Sequence, residues 1–251
     1  MHKELRFTAP LAALLLLGGC AGYTTSEIDA VDRSVAVPSV RVAVDLGRGR
    51  ATEEIPPPAR VHTSHALELG LSYARGSGTQ HFDATQQPIT FGGRTFVPPQ
   101  DLHYDFDLRF VELAYRYRHL FSGARLGVEG LAGAGYADLG LTVNSATQRA
   151  SERLRNGGLV LGLGGLWGIT SSTSLHARGT LFYSGASDDV TNASRFEIYL
   201  AQALGRNVSV RAGYATWSLR SERESDHFFY TRNSPLRVRF SGPALGLELM
   251  F

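Results

Sequence analysis

The chain has 251 residues, with 25 Lys and Arg against 23 Asp and Glu, a formal net charge of +2 and a mean hydropathy of −0.10. So small a charge gives no footing for phosphate neutralisation, and no nucleic-acid partner is expected. The single cysteine, Cys20, excludes an intrachain disulfide, and beyond the N-terminus no apolar run reaches the length of a membrane helix.

Lys3 and Arg6 precede an apolar run from Ala9 to Leu17 that is too short to span a bilayer and has the build of a signal-peptide core. Leu17-Gly18-Gly19-Cys20 follows and resembles the bacterial lipobox. That resemblance implies removal of residues 1–19 and a lipid anchor on Cys20; Ala21, in place of an aspartate, leaves the outer membrane as the default destination. Few aromatics, Pro38 and the run Pro56-Pro57-Pro58 then mark residues 20–63 as a lipidated N-terminus and periplasmic linker. Within it Val40, Val42, Val44 and Leu46 alternate with Arg41, Ala43 and Asp45, which allows a short extra strand only if a sheet edge is open to it.

From residue 64 onward apolar side chains recur at every second position, the mark of half-buried strands. In chain order the apolar faces begin at Leu67, Val111, Leu126, Leu159, Leu175, Phe196, Val208 and Val238. Trp217 and Leu219 leave the phase of the seventh strand, and the eighth shifts phase across Pro243, which reads as a bulge. Tight turns at Ser122-Gly123, at 170–172 and at 205–207 alternate with longer connections at 76–104, 141–156, 185–194 and 221–236. The last strand carries Leu245, Leu247, Leu249 and the terminal Phe251 on one face.

These features predict an all-β fold, an eight-stranded antiparallel up-and-down transmembrane β-barrel over residues 64–251. The pattern resembles the small outer-membrane barrels of the OmpA, OmpX and OmpW type. The resemblance implies a monomer in the bacterial outer membrane, touching its lipid, with both termini periplasmic and the long loops extracellular. It further implies that Leu247, Leu249 and Phe251 form the signal read by the barrel assembly machinery. No cofactor or metal is expected, and no extracellular ligand is named by the sequence.

Apolar side chains and most aromatics share one face, whereas glycines and charges share the other, so the polar face is assigned to the interior. Interior ion pairs are expected among Glu68, Glu112, Arg116, Arg118, Glu129, Arg178, Glu197, Arg211 and Glu248. A tight turn at Ser122-Gly123 sets Arg116 opposite Glu129. Gly162, Gly164 and Gly165 have no βαβ context and are read as space for interior side chains.

Signals for catalysis are weak. His62-Thr63-Ser64 resembles the His-x-Ser arrangement of outer-membrane lipid A deacylases but lies at the periplasmic end of its strand. Asp101, His103, Asp105 and Asp107 alternate and are read as a solvated strand extension above the bilayer rather than a cation site, and Asp188-Asp189 in the third long loop is likewise not read as one. The tip Phe228-Phe229-Tyr230 is the candidate surface-interaction loop, and Phe82, Phe91 and Phe96 are expected to hold the first loop down. The reading is a non-enzymatic barrel with a structural or surface-interaction role; the alternatives are a lipid-modifying enzyme and a narrow small-solute channel.

Overall fold

The computed structural model describes residues 28–32, 34–46, 63–121, 125–184, 189–223 and 236–251. The signal segment, Cys20, most of the linker, His62, the turn Ser122-Gly123, Asp188 and the tip Phe228-Phe229-Tyr230 lie outside the described residues. All regular structure among them is strand: β1 Ile28–Asp32, β2 Val37–Asp45, β3 Thr63–Phe82, β4 Ile89–Phe91, β5 Arg94–Phe96, β6 Gln100–Leu120, β7 Leu126–Asn144, β8 Arg149–Gly168, β9 Thr173–Ser184, β10 Asp189–Ala203, β11 Val208–Arg223 and β12 Leu236–Met250.

The main sheet closes on itself. From β3 through β6 to β12 each strand pairs antiparallel with the next, and β2 then pairs with β12 on one side and β3 on the other. Nine strands therefore make the ring where eight were expected, and the ninth comes from the segment read as linker. With an odd number, up-down alternation fails at one seam, so β2 runs parallel to β12. No open edge was needed: β2 is the piece that closes the gap. Its alternation explains the fit, because Val40 and Val44 face outward while Arg41 and Ala43 are buried inside.

Upstream, β1 continues the same path along the first part of β12. Asp32 pairs with Phe240 and Val37 with Ala244, so the N-terminal chain uses one more residue than β12 over this stretch. The bulge thus lies in the N-terminal strand, where Ser34 donates to Asp32 Oδ1 from its backbone N at 2.9 Å and Val35 N donates to Ser241 O at 3.2 Å. The β11–β12 ladder runs through Pro243 without interruption, contrary to the expected bulge there. Pro243 falls in the gap between the β1 and β2 pairings, where its missing N–H breaks no ladder bond.

The parallel seam also separates the chain ends. Ile28 stands beside Leu236, at the end of the sheet that carries the connections 83–99 and 224–235, while Phe251 bonds to Ala43 and Asp45 at the opposite end. Ile28 and Phe251 therefore stand at opposite ends of the sheet, and the N-terminus itself, expected on the side of Phe251, lies outside the described residues.

Strands are taller than the sequence suggested. Two of the expected long loops shrink to residues 145–148 and 185–188, because β7 and β8 pair up to Asn144–Arg149 and β10 resumes at Asp189. The reason is a reversal of polarity at mid-height. On β6 the inward row reads Leu102, Tyr104, Phe106, Leu108 and Phe110, then Glu112 and Arg116, all buried. Its outward row reads Asp101, His103, Asp105 and Arg109, then Val111, Leu113, Tyr115 and Tyr117. Trp217 and Leu219 obey the same rule: they stay in phase with Arg211, and only the chemistry of the inward face has changed. Along the apolar face this exchange has the form of a loss of phase.

Candidate functional site

The lower half of the lumen is a charged layer. Inward positions of eight strands meet there, and the ninth, β8, supplies glycines. A Cβ on Gly164 would stand 2.9 Å from Glu129 Oε1, and one on Gly70 would stand 2.7 Å from Glu112 Oε1, so both glycines are what let these carboxylates lie flat against the wall. Gly162 gives the same room to Leu131, whereas Gly165 is on the outward face.

Glu68 is fully buried and is the hub. Its Oε2 accepts from Arg116 Nη1 at 2.7 Å, its Oε1 accepts from Arg178 Nη1 at 2.8 Å, and Arg41 Nε lies 3.6 Å away. Arg116 also donates to Glu248 at 2.9 Å, and Arg178 Nε to Glu129 at 2.7 Å. Arg195 donates from Nη2 to both oxygens of Glu112, at 2.7 and 2.9 Å, with Glu197 3.5 Å from its Nε and bonded in turn by Arg41. The pairs Arg178–Glu68, Arg178–Glu129, Arg116–Glu248, Arg195–Glu112 and Arg41–Glu197 join strands that are not neighbours in the ring, so they fill its cross-section. Each buried carboxylate has a cationic partner, which offsets the desolvation of both.

The expected residues gather here with two changes. Arg118, not Arg116, stands opposite Glu129, and its Nη2 donates to Glu129 Oε2 at 3.1 Å. The cause is the turn: Phe121 N bonds to Leu126 O, so the connection holds two more residues than a two-residue turn would. Arg211 joins no ion pair among the described residues; its guanidinium lies 4.8 Å from the centre of the Tyr199 ring, on which His176 stacks at 4.8 Å and near which the Arg41 guanidinium stands at 5.9 Å. Arg41 and Arg195 were not selected from the sequence, although each occupies the inward phase of an alternation, between Val40 and Val42 and beside Phe196.

Above the charges lies an aromatic layer. Phe110 meets Phe182 and Trp217 edge-on at 5.5 and 5.3 Å, and Trp217 stacks on Phe240 at 5.8 Å. Arg195 joins the layers, its guanidinium 5.0 Å over the Trp217 ring. The β4–β5 hairpin folds into the upper part, where Ile89, Phe91 and Phe96 are buried with Phe82. Gln148 fastens it by donating to Thr95 O at 2.7 Å.

Outside, exposure is inverted relative to a water-soluble fold. Leu163 is 77% exposed and Glu68 0%. Leu247 and Phe251 are likewise exposed, Leu249 is half-buried, and Phe251 is tied to Ala43 and Asp45 by backbone bonds of 2.9 and 2.8 Å. Ser64 and His65 are consecutive on β3 and so point to opposite faces, and His65 Nδ1 bonds to the Tyr115 hydroxyl. Asp101, His103 and Asp105 lie on the exposed face of the upper strand, and no three metal-ligating side chains converge among the described residues. Two outer pairs carry shifted titrations. The hydrogen bond that His81 donates to Asp101 raises the His81 pKa, and the hydrogen bond from Arg153 lowers that of Asp138.

No family model, curated protein or solved structure matches the chain.

Proposed function

We propose that this chain is a non-enzymatic outer-membrane β-barrel of nine strands, sealed along its axis, that stands in the envelope as a structural and surface-presenting element. The observation that carries the reading is the polarity reversal at one height on β3, β6, β7, β11 and β12. In the lower half apolar and aromatic side chains cover the outside while charges pair inside, the arrangement hydrocarbon demands. From Val111 to Leu120 β6 offers about ten residues, the length of a transmembrane strand. In the upper half the faces exchange, as they must where water returns, and the strands become a projecting tower with an ordinary apolar core. Tyr73, Tyr136, Tyr183 and Tyr214 are exposed near that boundary, where an aromatic belt belongs.

Sealing argues against the channel reading, since ion pairs and then aromatic rings cross the lumen in successive layers. The tower and the hairpin folded into it are the surfaces available to a partner, and Cys20 is the proposed lipid anchor. The test is reconstitution. Purified protein is expected to enter lipid vesicles, to migrate differently on gels before and after boiling, and to give no conductance in a planar bilayer; lipid A mass spectra are expected to be the same with and without expression. A monomer soluble without detergent would remove the membrane reading, and steady unit conductance would remove the sealed lumen.

A further inference from the structure

A groove of about 720 Å³ opens on the outer wall where β2 meets its two neighbours. Val40, Leu71, Tyr73, Val111, Leu245 and Leu247 line it. The size falls within the range of small-molecule sites, about 300–1,000 Å³.

At the upper rim of the groove stands Arg109, exposed and directly opposite Tyr73 on one side and Asp138 on the other. Asp138 is already taken, by Arg153 from Nε at 2.6 Å and Nη2 at 2.8 Å, with Arg155 at 3.7 Å. Two residues higher on β3 and β6, Arg75 faces Asp107, which lies 3.9 Å from Arg153. Four arginines thus share two aspartates on adjoining strands, and Arg109 has no carboxylate within ion-pair distance among the described residues. A cationic patch with spare donors above an apolar groove has the polarity of an anionic lipid: acyl chain below, phosphate above.

We propose that this groove holds an acyl chain of a phosphorylated glycolipid of the external leaflet, whose phosphates are bound by Arg109 and Arg75. The inference rests on the membrane reading above, which puts the upper rim at the external leaflet. A glycolipid with more than one phosphate fits better than a single-phosphate phospholipid because two cations, Arg75 and Arg109, stand on adjoining strands.

The experiment uses the full chain in phosphatidylcholine nanodiscs doped with bis-phosphorylated lipid A, with its dephosphorylated form, or with phosphatidylglycerol. Retained lipid is read by native mass spectrometry after gentle release. Wild type should retain the bis-phosphorylated form, and the double variant Arg75→Gln/Arg109→Gln should retain roughly tenfold less, as loss of charge-assisted bonds to phosphate implies. Val40→Trp, which fills the groove and leaves the arginines alone, should also reduce retention. Undiminished binding in both variants overturns the site, and equal retention of phosphatidylglycerol or of the dephosphorylated form overturns the choice of ligand. Each protein is first tested for insertion by its gel mobility before boiling. A wild type that does not insert sinks the membrane reading and this site with it; one that inserts and retains nothing sinks the site alone.

Discussion

Glu68 on β3 and Arg178 on β9 meet across the lumen, Nη1 to Oε1 at 2.8 Å, with both side chains almost wholly excluded from solvent. Because their strands lie on opposite walls, the pair ties the ring across its width rather than along a ladder. Arg178 also holds Glu129, so its loss leaves two buried carboxylates short of a partner. Arg178→Met is expected to lower unfolding stability in detergent by about 3–5 kcal/mol, the cost of breaking a buried pair from one side. Adding Glu68→Met should recover part of it. Urea titration followed by tryptophan fluorescence is the measurement, and a single-variant loss below about 1 kcal/mol would mean that water or another cation reaches these groups.

Register gives a second prediction. Arg118 faces Glu129 with a bond of 3.1 Å, while Arg116 faces Leu131 and bonds elsewhere. A double-mutant cycle on Arg118→Met and Glu129→Gln should show coupling of about 0.5–3 kcal/mol, and a cycle on Arg116→Met and Glu129→Gln should show less. The reverse order would restore the two-residue turn and shift β7 against β6.

Two glycines on β8 separate packing from conformational entropy. At Gly164 a new Cβ would meet Ala177 O at 2.8 Å and Glu129 at 2.9 Å; at Gly165 the nearest atom is 3.9 Å away. Gly164→Val is therefore expected to destabilise by about 1–3 kcal/mol through overpacking. Gly165→Ala should be neutral or stabilising by up to about 1 kcal/mol, since a strand interior gains when glycine is replaced. Thermal gel-shift midpoints would distinguish the two, and equal losses would show that the inside and outside of β8 are misassigned.

Much of this fold was legible because a strand in a wall has period two whichever face is apolar. Leu67, Val111, Leu159 and Phe196 each announced a real strand, and Glu68, Glu112 and Glu197 in the opposite phase are inside. What the period does not carry is which face is apolar at a given height. Arg153 therefore looked like loop, although it belongs to β8, and Trp217 looked out of phase. The pairing of β2 with β12 was hidden for another reason: it joins residues about 200 positions apart, and no local pattern reports a contact of that separation. Arg41 was visible as one of an alternating set but had no assigned place until the parallel seam brought it beside Glu68 and Glu197.

On the tower, His81 Nδ1 lies 2.6 Å from Asp101 Oδ1, with Asp83 at 3.2 Å from Nε2, and the Asp101 hydrogen bond is the main cause of the raised His81 pKa. A folded-state pKa above the unfolded one stabilises while the imidazole is charged. The contribution is thus complete below the unfolded value of about 6.5 and fades as pH rises through the higher folded value. NMR titration of His81 should give a midpoint above that of the unfolded chain, and Asp101→Asn should bring it down. An unchanged midpoint in the variant would dismiss the pair.

The last prediction concerns direction. Because β1 and β2 run parallel to β12, Ile28 stands at the end bearing residues 145–148, and the turn 204–207 stands at the other. Cys20 is eight residues before Ile28, a reach of at most about 28 Å for extended chain. The path from Ile28 to Asp45 at the far rim is 17 residues, about 56 Å of strand, or roughly 40 Å of height at a 45° tilt. A lipid on Cys20 therefore belongs to the side of the tower, not to the side of Phe251. Epitopes inserted before Ile28, at Ala146 and at Gly205 test this in whole cells. The first two should bind antibody on intact cells, and the third only after permeabilisation. The Ala146 tag fixes which end faces outward, so the N-terminal tag has to follow it in either orientation. If it follows the Gly205 tag instead, β1 does not pair parallel with β12, and the ninth strand enters the wall from the other side.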